Sequence, residues 1–172
     1  FNSDSGFFAD LLQLHSLVDP QTVKQYEDYI ARLNDVPRYF DENIANLREG
    51  MREGFTLPSA ILEGVARVVD GAQYSDPEKM PFWTPFAAFP DGVPERDRAR
   101  LAAAGKAALS KAVIPAYAEF KRFFDAEYRG AARKTIGATA LPGGRAYYAD
   151  LVRYFTTLPD ATAEGIHRTG LA

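Results

Sequence analysis

The chain has 172 residues, 47% hydrophobic and 25% charged, with 20 Lys plus Arg against 23 Asp plus Glu and a formal net charge of -3. That length makes one ordinary domain with a sizeable core, and that composition excludes disorder as its general state. No basic excess is present to displace counterions from a phosphate backbone, which argues against a nucleic-acid partner, and the absence of cysteine removes disulfides, thiolate nucleophiles and sulfur-held metals together.

The first residues, "FNSDSGFFADLLQLHS", lack the basic flank and small-residue cleavage site of a signal peptide. No apolar run approaches the roughly 18 residues needed to cross a bilayer, so no membrane-spanning segment is expected. In "VDPQTVKQYEDYIARLND", Asp19 stands before Pro20 as a cap and first-turn pairing, and Val23, Tyr26, Ile30 and Leu33 follow at helical steps. "DVPRYFDENIANLREGMREG" repeats the arrangement with Asp35 as cap, Pro37 in the first turn and Val36, Phe40, Ile44, Leu47, Met51 and Phe55 as the stripe; Gly54 offers a stop. The short linker between these two predicts an antiparallel helix pair.

"FTLPSAILEGVARVVDGA" predicts a further helix with Ile61, Leu62, Val65 and Val68 on one side, a Glu63 to Arg67 pair and an end at Gly71. Prolines 77, 81, 85, 90 and 94 make residues 72–94 an irregular connector. Phe82, Trp83, Phe86 and Phe89 lie on it without helical periodicity, either plugging a groove between helices or lining a ligand site. From Glu95 a long helix is expected, interrupted or kinked at Pro115, whose second half buries Tyr117, Phe120, Phe124 and Tyr128. "KTIGATALPGG" then leads to a helix over about residues 143 to 156 with Tyr147, Tyr148, Leu151, Val152 and Phe155 as its stripe. A last helix begins near Asp160 or Thr162 and is cut short within about two turns. No strand pattern and no repeat of roughly 20 to 50 residues is visible. The fold class is therefore all-α: a single helical domain over residues 1–172, a multi-helix antiparallel bundle-like array with one long Pro-kinked helix.

Little chemistry accompanies this pattern. His15 and His167 are the only histidines and stand far apart in sequence, without the one-turn spacing that holds a catalytic zinc, and each reads as a structural or surface group. There is no GxSxG elbow, no SxxK, no Walker loop and no GxGxxG. Ser16 beside His15 is no catalytic pair by adjacency alone. Acids in "YEDY", "FDEN" and "REGMREG", and the arginines of "ERDRAR", read as solvated helix faces. No catalytic residue, metal ligand or cofactor is expected within these residues. Gly143 and Gly144 remain open to two readings: a tight helix start with Tyr147 and Tyr148 in the core, or a glycine approach where a ligand meets the first amides of a helix.

Several blocks in order, "YEDYIARLNDVPRYFDENIANLREGMREGFTLP", "MPFWTPFAAFP", "VIPAYAEFKRFFDAEY", "LPGGRAYYADLVRYFTT" and "EGIHRTGL", resemble the bacterial family catalogued as domain of unknown function 885, from about residue 6 onward. The resemblance implies a helical protein similar to zincin-like metallopeptidases, longer than this chain, with an HExxPGHH motif downstream of "IHxxGL". That motif is absent here, so the resemblance implies an N-terminal or middle piece, inactive alone, whose zinc and glutamate base come from the remainder of the parent polypeptide. It further implies a peptide substrate, an exported or envelope location, and a substrate-side role for Gly143, Gly144, Tyr147 and Tyr148. The alternative is a non-enzymatic helical module that binds a peptide or partner helix; a metal-free enzyme working through carboxylates is the third option.

Overall fold

The computed structural model describes residues 5–172. Ten α-helical segments follow in order: α1 (Phe7–Leu11), α2 (Leu14–Leu17), α3 (Val23–Glu53), α4 (Leu62–Gly71), α5 (Thr84–Ala87), α6 (Glu95–Ala108), α7 (Ile114–Phe123), α8 (Arg129–Ala131), α9 (Gly144–Thr156) and α10 (Ala163–Leu171). Among the described residues no strand forms; a lone bridge joins Pro58 and Arg133. The all-α expectation holds.

The two helices expected over residues 19–54 are one. Tyr26, Tyr29, Leu33, Val36, Phe40 and Ile44 make an unbroken buried stripe along 31 residues, with Pro37 inside the helix. An interior proline costs about 3 kcal/mol. Burying each large side chain of the stripe contributes roughly 1.5–3 kcal/mol, so the stripe carries the helix across the missing N–H. The start is also shifted: Thr22, not Asp19, is the N-cap and forms a capping box with Gln25. Asp35 caps nothing and instead accepts from the Arg38 guanidinium at 2.5 and 2.9 Å. The stop is where the sequence places it. Gly54 takes a φ of 84°, and the amides of Gly54 and Phe55 donate to Met51 and Gly50, a Schellman closure.

From Glu95 to Ala131 the chain is helical without a break, but two π-helical turns, Leu109–Val113 and Phe124–Tyr128, join α6, α7 and α8. The first immediately precedes Pro115. There the Ile114 amide donates five residues back to Leu109, so the widened turn absorbs the proline that was expected to interrupt the helix. Tyr117, Phe120, Phe124 and Tyr128 are buried as the spacing predicts. Glu27 pairs with Arg100 and Arg48 with Glu127, which sets α3 and the long helix parallel. The Asp70–Lys121 and Glu63–Arg129 contacts set α4 antiparallel to both, returning the chain between them. Glu63 therefore faces Arg129 at 4.0 Å rather than Arg67.

The proline-rich connector is a plug. Phe82 and Phe86 are buried, Trp83 and Phe89 pack against the core, and the Phe86 ring lies over Gly105, where a Cβ would overlap it. Two tyrosines of α3 fix it: Tyr26 Oη donates to Pro85 O at 2.6 Å and Tyr29 Oη to Phe82 O at 3.1 Å. Phe7 and Phe8 of α1, which the periodicity does not mark as helical, complete an aromatic cluster with Phe40 and Phe120 at 4.7–5.1 Å between ring centres.

Candidate functional site

The core ends at the long helix, and beyond it the chain forms an arm built on one arginine. Arg133 donates from Nε to Thr56 O at 2.9 Å and from Nη1 to Thr135 O and Gly137 O at 2.5 and 3.1 Å. Its amide donates to Leu57 O and its carbonyl accepts from the Ser59 amide at 2.8 Å. These three bonds from the planar guanidinium to backbone carbonyls fix the direction in which the connector leaves the core.

The connector makes a 3₁₀ turn over Ala138–Ala140 and then starts α9. Gly143 is the N-cap with a φ of 65°, in the left-handed region that favours glycine. Gly144 is buried, its amide donating to Leu141 O at 2.8 Å, and a Cβ there would overlap the carbonyl of Ala138. The pair thus begins a helix tightly against the turn that leads into it. Tyr147 and Tyr148, however, do not join the core: they are 57% and 41% exposed, as are Tyr154 and Phe155 at 74% and 76%. Of the expected stripe, Leu151 and Val152 are half-buried, while Tyr147, Tyr148 and Phe155 stay exposed among the described residues.

An open cleft of about 360 Å³ lies between α9 and α10. Thr139, Arg145, Tyr148 and Arg153 line one side; Asp160 and Glu164 come from the approach to α10 and its first turn. Of the four residues singled out in the sequence, Tyr148 lines this cleft, Gly144 supports its wall from inside, and Gly143 and Tyr147 lie outside it. The arginines were not singled out, although residues 145, 148/149 and 152/153 share one helical face and that spacing marks them. Arg153 is held by Asp150 at 3.0 Å, while Arg145 makes no ion pair among the described residues. Chemically, the cleft offers hydrogen-bond donors on one wall and carboxylates on the other, around an aromatic ring.

Away from the cleft, the histidine and serine that stand side by side make separate contacts. His15 Nδ1 donates to Leu12 O at 2.7 Å, and the Ser16 hydroxyl donates to Gln13 O, so the two neighbours do not form a dyad. His167 is exposed on α10. Among the described residues, no three His, Asp or Glu side chains gather where they would hold a metal ion. The helix-borne acids pair with arginine at the surface: Glu127 with Arg48, Glu42 with Arg38, Glu27 with Arg100. The Arg48 guanidinium holds the Glu127 carboxyl below the usual carboxylate range, and Arg38 does the same for Asp35. Burial pushes the phenols of Tyr29 and Tyr117 far above their ordinary value. These displaced groups lie along the bundle, away from the cleft, and mark packing and surface ion pairs rather than acid–base chemistry.

The chain matches, over residues 1–172, the family described as "Bacterial protein of unknown function (DUF885)". No curated protein matches it. Among solved structures it is similar to "the putative lipoprotein from Colwellia psychrerythraea", with 23% identity and a TM-score of 0.86 over 99% of this chain. The chain corresponds to 29% of that solved chain, and the likeness establishes a shared fold.

Proposed function

The chain belongs to the bacterial DUF885 family, and from that premise we propose that it is the helical scaffold and one substrate-facing wall of a longer peptidase-like protein, without a catalytic centre of its own. The observation that carries this reading is a pairing: a packed bundle in which no metal-holding set gathers among the described residues, and a glycine-started helix that turns Tyr148 and two arginines into an open cleft. Tyr148 and Arg145 supply donors suited to peptide carbonyls or a carboxylate. Gly144 keeps the wall close to the turn that precedes it.

Zinc, which the family resemblance implies, finds no set of three His, Asp or Glu side chains to hold it among the described residues, and the two histidines belong to separate elements. Metal and general base are therefore assigned to polypeptide outside residues 1–172. An exported or envelope location fits the description of the solved relative as a lipoprotein.

The test uses the product of the complete reading frame, assayed for hydrolysis of a peptide library with and without chelator. Tyr148→Phe is expected to lower kcat/KM about tenfold, the loss of one charge-neutral hydrogen bond in the transition state, with the melting temperature unchanged. Hydrolysis by residues 1–172 alone, or zinc bound stoichiometrically to them, overturns the reading. A second reading, a helical module that binds a partner without catalysis, is favoured by the exposed aromatics of α9. Peptide binding without turnover by the complete product selects it.

A further inference from the structure

Resting on the scaffold reading, we propose that α9 and α10 form a docking seam for further polypeptide of the same longer chain, an amphipathic segment whose apolar side covers Tyr147, Tyr154, Phe155, Leu158, Ile166 and Leu171. Each of these six is exposed, and Leu171 reaches 74%. Within residues 134–172 only Gly144 is buried. Helices of 13 and nine residues stand at or below the roughly 12–15 residues at which an isolated helix is marginal in water. Burial of an apolar face has to supply what length does not, and the bundle does not bury this one.

The occupant is argued from three observations. The likeness at a TM-score of 0.86 extends over 99% of this chain, so it includes the arm, in a protein of which this chain corresponds to 29%. The same arm is thus built where a large excess of polypeptide is at hand in cis. Its composition is that of an interface, with exposed tyrosine and phenylalanine and with arginine among its charges. Residues 144–172 are also balanced in charge, Arg145, Arg153 and Arg168 against Asp150, Asp160 and Glu164. That balance lacks the basic excess with which an amphipathic helix binds an anionic lipid surface.

Amide hydrogen exchange on the complete reading-frame product tests the seam. The amides of residues 147–156 and 164–171 are expected to exchange within tenfold of those of residues 33–44 in α3. Phe155→Asp is expected to accelerate the arm at least 100-fold while α3 keeps its rate, which also shows that the variant is folded. On a solvated face the same substitution changes little. The proposal is overturned if the wild-type arm exchanges at least 100-fold faster than α3, if its protection rises with protein concentration as it does for a second copy, if it requires lipid vesicles, or if the reading frame adds no polypeptide to these residues. Neither readout depends on catalysis. A protected arm in a product that hydrolyses no peptide keeps the seam and removes the peptidase reading, and a peptidase with an unprotected arm does the reverse.

Discussion

At Gly143 the backbone turns with a φ of 65°, and one residue later a Cβ on Gly144 would overlap the Ala138 carbonyl oxygen. The two glycines answer to different constraints, and substitution separates them. Nothing lies within 4 Å of a Cβ added at Gly143, so Gly143→Ala meets only the left-handed backbone and costs about 1–2 kcal/mol. Gly144→Ala has to displace the 138–140 turn, which contributes Thr139 to one side of the cleft. It is expected to cost the arm more than Gly143→Ala does, about 2–3 kcal/mol in the range of overpacked sites. Limited proteolysis of the arm in the two variants checks the order. Equal cleavage rates for both would show that the tight turn before α9 does not exist. This glycine shapes the cleft through the turn that precedes α9 rather than by exposing its amide, a distinction the "PGG" sequence alone does not contain.

Among the elements, α9 ends as unusually as it begins. Thr157 takes a φ of 59° while its amide donates to Arg153 O at 2.9 Å. A β-branched residue in the left-handed region is strained by about 1–2 kcal/mol. Thr157→Gly is therefore expected to stabilise the last turn of α9 by about 1 kcal/mol, seen as roughly fivefold slower exchange of amides 153–156; faster exchange in the variant would refute the strained cap. The helical stripes over Leu33 to Ile44 and Tyr117 to Tyr128 were legible in the sequence because apolar spacing reads a face directly, although the spacing marked Ile30 where Tyr29 is the buried residue. Three things were not legible. Whether Asp35, Val36 and Pro37 end a helix depends on the burial available at Leu33, Val36 and Phe40, a tertiary quantity that overrides the local proline signal. Nor does the spacing of the α9 stripe say which of its residues are covered: Leu151 and Val152 are half-buried and Tyr147 and Phe155 are exposed. The cleft arginines were missed because a charge at helical spacing reads as a solvated face until the second wall, from Pro159 to Glu164, is placed opposite it.

Across the whole molecule, tyrosine hydroxyls tie outlying segments to the bundle, and this gives its stability a sign with pH. Tyr26 and Tyr29 hold the aromatic plug, Tyr117 Oη donates to Phe8 O at 2.7 Å and so holds α1, and Tyr128 Oη accepts from the Leu57 amide at 3.1 Å. Burial is the leading cause that raises all four phenols above their ordinary value; at Tyr128 the Leu57 amide and Arg133 partly oppose it. A raised folded value means that the protonated form is favoured by folding. Its contribution is complete below the unfolded value of about 10 and is lost as pH climbs from there toward the folded values. Stability is therefore expected to be insensitive to these groups between pH 6 and 9 and to fall steeply above about pH 10. Each buried phenol that ionises only on unfolding adds up to about 1.4 kcal/mol per pH unit to that slope. Tyr29→Phe keeps the ring and removes one such proton, so it lowers stability modestly at neutral pH, by about 1 kcal/mol, and flattens the alkaline limb. Urea unfolding at pH 7, 9, 10 and 11 resolves the two effects. An alkaline slope unchanged by Tyr29→Phe would mean that the phenol is reached by solvent in the native state, and that the aromatic plug is not seated on α3 as the Phe82 contact requires.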